Sequence, residues 1–86
     1  MCRNITTLRG LEPAATADEI EAAARQYVRK VSGVQSTSAI SEAAFELAVR
    51  RVTEATTDLI ASLPPRKVPP KTVPPLRRIA ARTSVA

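Results

Sequence analysis

The chain has 86 residues, with 13 Lys or Arg against 8 Asp or Glu and a formal net charge of +5. That length supports one small domain at most, and so small a unit buries too little surface to wall a deep active-site cleft. The absence of histidine and tryptophan, with Tyr27 and Phe45 the only aromatics, removes the commonest proton shuttle and metal ligand and most of the stacking surface used on single-stranded nucleic acid. The expectation is therefore a protein that is not an enzyme and holds no metal or cofactor.

Cys2 is the single cysteine, so no internal disulfide can form, and a lone thiol without histidine cannot assemble a zinc site. A reducing cytosol suits this composition. Removal of Met1 would leave Cys2 as an N-terminal nucleophile, but no glycine-rich turn offers an oxyanion site, and the preferred reading is a small buried apolar residue. Met1-Cys2-Arg3-Asn4 is not followed by the apolar core of a secretory signal, and no run approaches the ~18 apolar residues of a membrane span. A soluble, cytoplasmic protein is expected. Cys2, Ile5, Leu8 and Leu11 recur every third residue, as one edge of a short 3₁₀ or α turn would, with Gly10 and Pro13 bracketing its end.

The spacing Thr16-Ala17-Asp18-Glu19 predicts a capping box, hence a helix near 17–32. Ile20, Ala23, Ala24, Tyr27, Val28 and Val31 form one apolar stripe along it, and Gly33 can supply the left-handed residue that ends it. Asp18, Glu19 and Glu21 in the opening turns and Arg29 and Lys30 in the last match the helix dipole. Arg3, Asn4, Arg25, Arg29 and Lys30 would make a phosphate-contacting patch if the N-terminus packed beside this helix, but solvated helix termini are the simpler reading.

After a Ser/Thr-rich connection, a second helix is predicted near 39–63, with Ser38 or Ser41 as its cap and Pro64-Pro65 as its stop. Its apolar face comprises Phe45, Ala48, Val49, Val52, Leu59, Ile60 and Leu63, while Glu46, Arg50 and Glu54 are spaced as an i, i+4 charge ladder. The two helices should form an antiparallel hairpin. Such a hairpin leaves apolar surface wet unless the N-terminal turn, a partner or a second copy covers it. The fold class expected is all-α: a small helical hairpin of two main helices plus a short N-terminal turn over residues 1–63, followed by an extended proline-rich basic tail over 64–86.

The tail carries a five-residue repeat: Pro64-Pro65-Arg66-Lys67-Val68, Pro69-Pro70-Lys71-Thr72-Val73, Pro74-Pro75-Leu76-Arg77-Arg78. Paired prolines favour extended polyproline II, and residues 76–86 could add a short basic helix with Pro75 as its first residue. Residues 1–63 hold seven basic and eight acidic side chains, a net of −1, whereas residues 64–86 hold six basic and no acidic ones, a net of +6. The basicity is a property of the tail alone. The prolines are spaced four and five apart, so no PxxP ligand motif is present. Two readings remain: a disordered solvating tail, or electrostatic docking onto RNA, DNA or an acidic protein surface. Six cations on an extended backbone can follow a phosphate track, which makes Arg66, Lys67, Lys71, Arg77, Arg78 and Arg82 the candidate nucleic-acid-binding residues.

Residues 1–63 resemble a small bacterial family, domain of unknown function family 2277. The resembling strings are Met1-Cys2-Arg3-Asn4-Ile5, Glu12-Pro13-Ala14-Ala15-Thr16-Ala17-Asp18-Glu19-Ile20, Gln26-Tyr27-Val28-Arg29-Lys30-Val31-Ser32-Gly33 and Glu42-Ala43-Ala44-Phe45. The resemblance implies a short helical bacterial protein and brings no activity, cofactor or partner, and the proline repeat departs from the ordinary charged helix expected there. The functional expectation is a non-enzymatic accessory protein whose hairpin docks on a protein partner or on itself, and whose tail contacts RNA or a ribonucleoprotein such as the ribosome. The alternative is a protein–protein adaptor or homodimeric helical module with a passive tail.

Overall fold

The computed structural model describes residues 5–77. Cys2, Arg3, Asn4, Arg78 and Arg82 lie outside them, as does the greater part of the terminal helix expected after Pro75. Helix α1 spans Ala17–Ser32, helix α2 spans Glu42–Ser62, and no strand occurs among the described residues. The all-α hairpin is the observed fold.

The start of α1 follows from local chemistry. The Thr16 hydroxyl accepts from the Glu19 amide at 3.1 Å, and the Glu19 carboxylate accepts from the Thr16 amide at 2.8 Å. Two amides that the helix leaves without internal acceptors are thus satisfied. The far end closes on Gly33, whose φ of 73° is left-handed and whose amide donates to the Arg29 carbonyl.

Helix α2 begins later than the spacing predicts. Residues 38–41 form a separate turn, in which the Ser41 hydroxyl accepts from the Ser38 amide at 3.0 Å. Ser41 occupies the cap position, but its side chain is spent on that turn and makes no capping bond to the helix. Serine's capacity to bond nearby backbone groups competes here with helix initiation. At the other end Leu63 is extended, with φ −82° and ψ 150°, because a residue before proline is driven out of the helical region.

The hairpin closes on Ala24 and Val28 of α1 against Phe45 and Val49 of α2, with Val34, Ala48 and Val52 at the margin. A second cluster joins Ile20 to Leu8 and Leu11, flanked by Ala15 and Ile60. The N-terminal segment therefore covers one end of the hairpin, but as a β-turn rather than a helical one. Leu11 donates to the Leu8 carbonyl at 3.4 Å, and Gly10 takes a φ of 88°, the sign that a type II turn requires at its third residue. Ile5 stays half exposed.

Both apolar stripes are wider than the contact they make. Tyr27, Val31, Leu59 and Leu63 are exposed, because each helix has one neighbour and can bury only the arc facing it. The charge ladder on α2 does not form either: none of Glu46, Arg50 and Glu54 pairs with another, and Glu46 bonds Arg25 across the hairpin instead. Arg25 meets both Glu46 oxygens with its guanidinium fork, a bidentate geometry that adds energy as well as direction to the pair.

Residues 64–77 run back over the N-terminal segment. The Arg9 Nε donates to the Pro64 carbonyl at 2.8 Å, and the Arg66 side chain lies so close to Gly10 that a Cβ there would stand 2.8 Å from the Arg66 Cβ. Pro74 is buried, and the backbone turns helical over residues 75–77, with the Arg77 amide donating to the Pro74 carbonyl at 3.0 Å. Contacts between residues 64–77 and residues 9–19 thus cross the boundary drawn at residue 63.

Candidate nucleic-acid interface

The six tail cations divide by what their side chains meet. Arg66, Lys67 and Lys71 are exposed, and no carboxylate pairs with any of them among the described residues. Arg66 rests its aliphatic stem on Gly10 while the residue as a whole is exposed, as long cationic side chains commonly arrange themselves.

Arg77 is turned inward. Its Nε lies 2.7 Å from Glu19 Oε2 and its Nη2 lies 3.2 Å from Oε1. The same Nη2 donates to the carbonyls of Pro13 and Ala14. Glu19 is only 4% exposed, so its carboxylate would be badly placed without these donors. The Arg77 hydrogen bond holds the Glu19 carboxyl below its ordinary value, outweighing the opposing push of burial. Glu19 thus serves two masters at once, the amide of Thr16 that starts α1 and the guanidinium that anchors the strap.

The other cationic patch considered from sequence is largely occupied. Arg25 meets Glu46 with two bonds of 2.7 and 2.9 Å, approaches Glu21 at 3.7 Å, and stands 5.8 Å from the centre of the Phe45 ring. Its bond to Glu46 lowers the Glu46 pKa and raises that of Arg25. Arg29 and Lys30 are exposed beside Gln26 and Gln35 at the carboxyl end of α1, where the helix dipole repels anions.

Two clefts share the segment Ile5, Thr6 and Thr7. One, of about 360 Å³, is apolar and open, lined by Ala23, Ala24, Tyr27, Val52 and Ile60 among others. The second, of about 320 Å³, is polar: Thr6 and Thr7 face Arg66, Pro70, Lys71 and Thr72 across it. The sequence reading singled out the two cations of this second cleft but not its three threonines. A pair of adjacent threonines in a turn-rich segment is too common a feature to mark a site, and only the return of the strap brings Thr72 opposite them.

Among the described residues no helix is long and apolar enough to cross a membrane. The fold and its surface define a small two-helix protein with a basic strap laid across its N-terminal turn. The chain belongs to the family described as an uncharacterized conserved protein, DUF2277, whose family model matches residues 1–83. That match extends beyond residues 1–63, where the resemblance was seen, and spans the whole proline repeat of residues 64–78. No curated protein and no solved structure matches the chain.

Proposed function

We propose that the protein is a non-enzymatic, cytoplasmic accessory protein whose basic strap contacts RNA or a ribonucleoprotein such as the ribosome, while the helical hairpin docks on a protein partner or a second copy. The observation that carries this reading is the segregation of charge. Residues 64–86 hold six cations and no acid, and Arg66, Lys67 and Lys71 stand exposed and unpaired on the same strap. Cations without intramolecular partners lose little on exchanging water for phosphate, and they release condensed counterions when they do. Arg77 supports the reading in a different way, since its anchorage to Glu19 fixes the strap before binding and reduces the entropy lost on association. Exposed Tyr27, Val31 and Leu59 supply the apolar surface that a protein partner would cover.

The test replaces Arg66, Lys67, Lys71, Arg78 and Arg82 by serine and keeps Arg77, so that the Glu19 contact survives. Anisotropy of a labelled single-stranded RNA should show affinity falling by orders of magnitude while helicity is unchanged. Equal binding by parent and variant would move the function to the adaptor alternative, with a passive tail.

A further inference from the structure

We propose that the polar cleft between the N-terminal turn and the strap is a phosphate-binding pocket, in which Arg66 and Lys71 supply the charge and Thr7 and Thr72 the hydroxyl donors. The inference rests on the RNA reading above and gives it a seat. Five of the seven residues lining the cleft carry side-chain hydrogen-bond donors, and none carries a carboxylate. Its volume of about 320 Å³ lies at the small end of ligand sites, which run from roughly 300 to 1,000 Å³, and leaves room for a phosphate group.

The state of the donors is the second observation. The Thr7 and Thr72 hydroxyls, the Arg66 guanidinium and the Lys71 ammonium have no acceptor among the described residues. These donors and cations line one small space with no acceptor among the described residues to receive them, and an oxyanion with several acceptor oxygens is the complementary ligand.

Gly10 and Arg77 hold the pocket together. Gly10 lets the Arg66 stem approach the N-terminal turn, and the Arg77 bond to Glu19 fixes the far end of the strap. The cation pair Arg29 and Lys30 offers no such seat, since it has no hydroxyl beside it. The phosphate could belong to an RNA backbone or to a small free phosphate, and the chemistry recognised is the same.

The experiment titrates the full chain with inorganic phosphate and, separately, with a single-stranded RNA oligomer, following backbone amide shifts by NMR and RNA affinity by anisotropy. Phosphate should shift Thr6, Thr7, Lys71 and Thr72. The double variant Thr7→Val, Thr72→Val, which leaves the charge unaltered, should bind phosphate roughly tenfold more weakly or worse, and Lys71→Ser should do likewise, whereas Arg51→Ser, an exposed cation on α2, should match the parent. Undiminished phosphate binding by the double valine variant overturns the pocket, as does a loss on Arg51→Ser equal to that on Lys71→Ser. If the parent binds phosphate through these residues but not RNA, the pocket stands as a small-phosphate site and the RNA reading fails. If RNA binding depends on the tail cations and neither RNA nor phosphate binding responds to the two threonine substitutions, the RNA reading stands and the pocket falls.

Discussion

Replacing Arg77 by serine removes the one ion pair that, among the described residues, ties the strap to a buried carboxylate. Glu19 loses the 2.7 and 3.2 Å bonds to the guanidinium and keeps the 2.8 Å bond from the Thr16 amide. Taking away one partner of a fully buried ion pair costs about 3–5 kcal/mol, and an exposed pair is worth about 1 or less. The Arg77 side chain is 18% exposed and the capping amide remains, so the expected loss falls between those limits, at about 1–3 kcal/mol. For a domain of this size that is a drop in melting temperature of roughly 5–20 °C, read by far-UV circular dichroism. The pH dependence follows in sign. Folding holds the Glu19 carboxyl below its ordinary value of 4.5, so the stability it contributes is complete above that value and is lost as the pH falls through the lowered one. The gap between parent and Arg77→Ser should be constant from neutral pH to about 5 and should close in more acid solution. A variant melting within about 2 °C of the parent at pH 7 would refute the anchoring role.

Ala24→Asp and Val49→Asp place a carboxylate where the side chains are 3% and 2% exposed, and each should abolish the cooperative helical melt, whereas exposed Arg51→Ala should not. Gly33→Ala meets open space and should cost only the strain of a left-handed alanine, about 1–2 kcal/mol in urea unfolding. Gly10→Ala adds a clash with the Arg66 stem to that strain, so it should cost more, and Arg66→Gly in the same chain should restore part of the difference.

What the sequence made legible was local. The capping box at Thr16 and Glu19, the left-handed stop at Gly33 and the break before Pro64 are written within a few residues of where they act. The start of α2 was misplaced by an equally local competition, since nothing in the spacing says whether Ser41 bonds the helix or the Ser38 amide. Long-range pairings were not readable. Glu19 has the same chemistry as a capping residue whether or not an arginine 58 positions away also reaches it, and Glu46 is spaced equally well for Arg50 on its own helix and for Arg25 on the other. The three threonines of the polar cleft were invisible for the same reason, because their common property is a place in space and not a spacing.

The charge segregation that underlies the functional proposal is most directly tested by the salt dependence of RNA binding by the unaltered chain. If Arg66, Lys67 and Lys71, alone or together with Arg78 and Arg82, neutralise phosphates while Arg77 stays with Glu19, three to five contacts should give a log–log slope of about −2 to −3.5 on a single strand. Affinity should then fall roughly 20- to 130-fold between 50 and 200 mM salt. A slope near zero, or RNA binding that persists unchanged at 200 mM salt, would contradict the account.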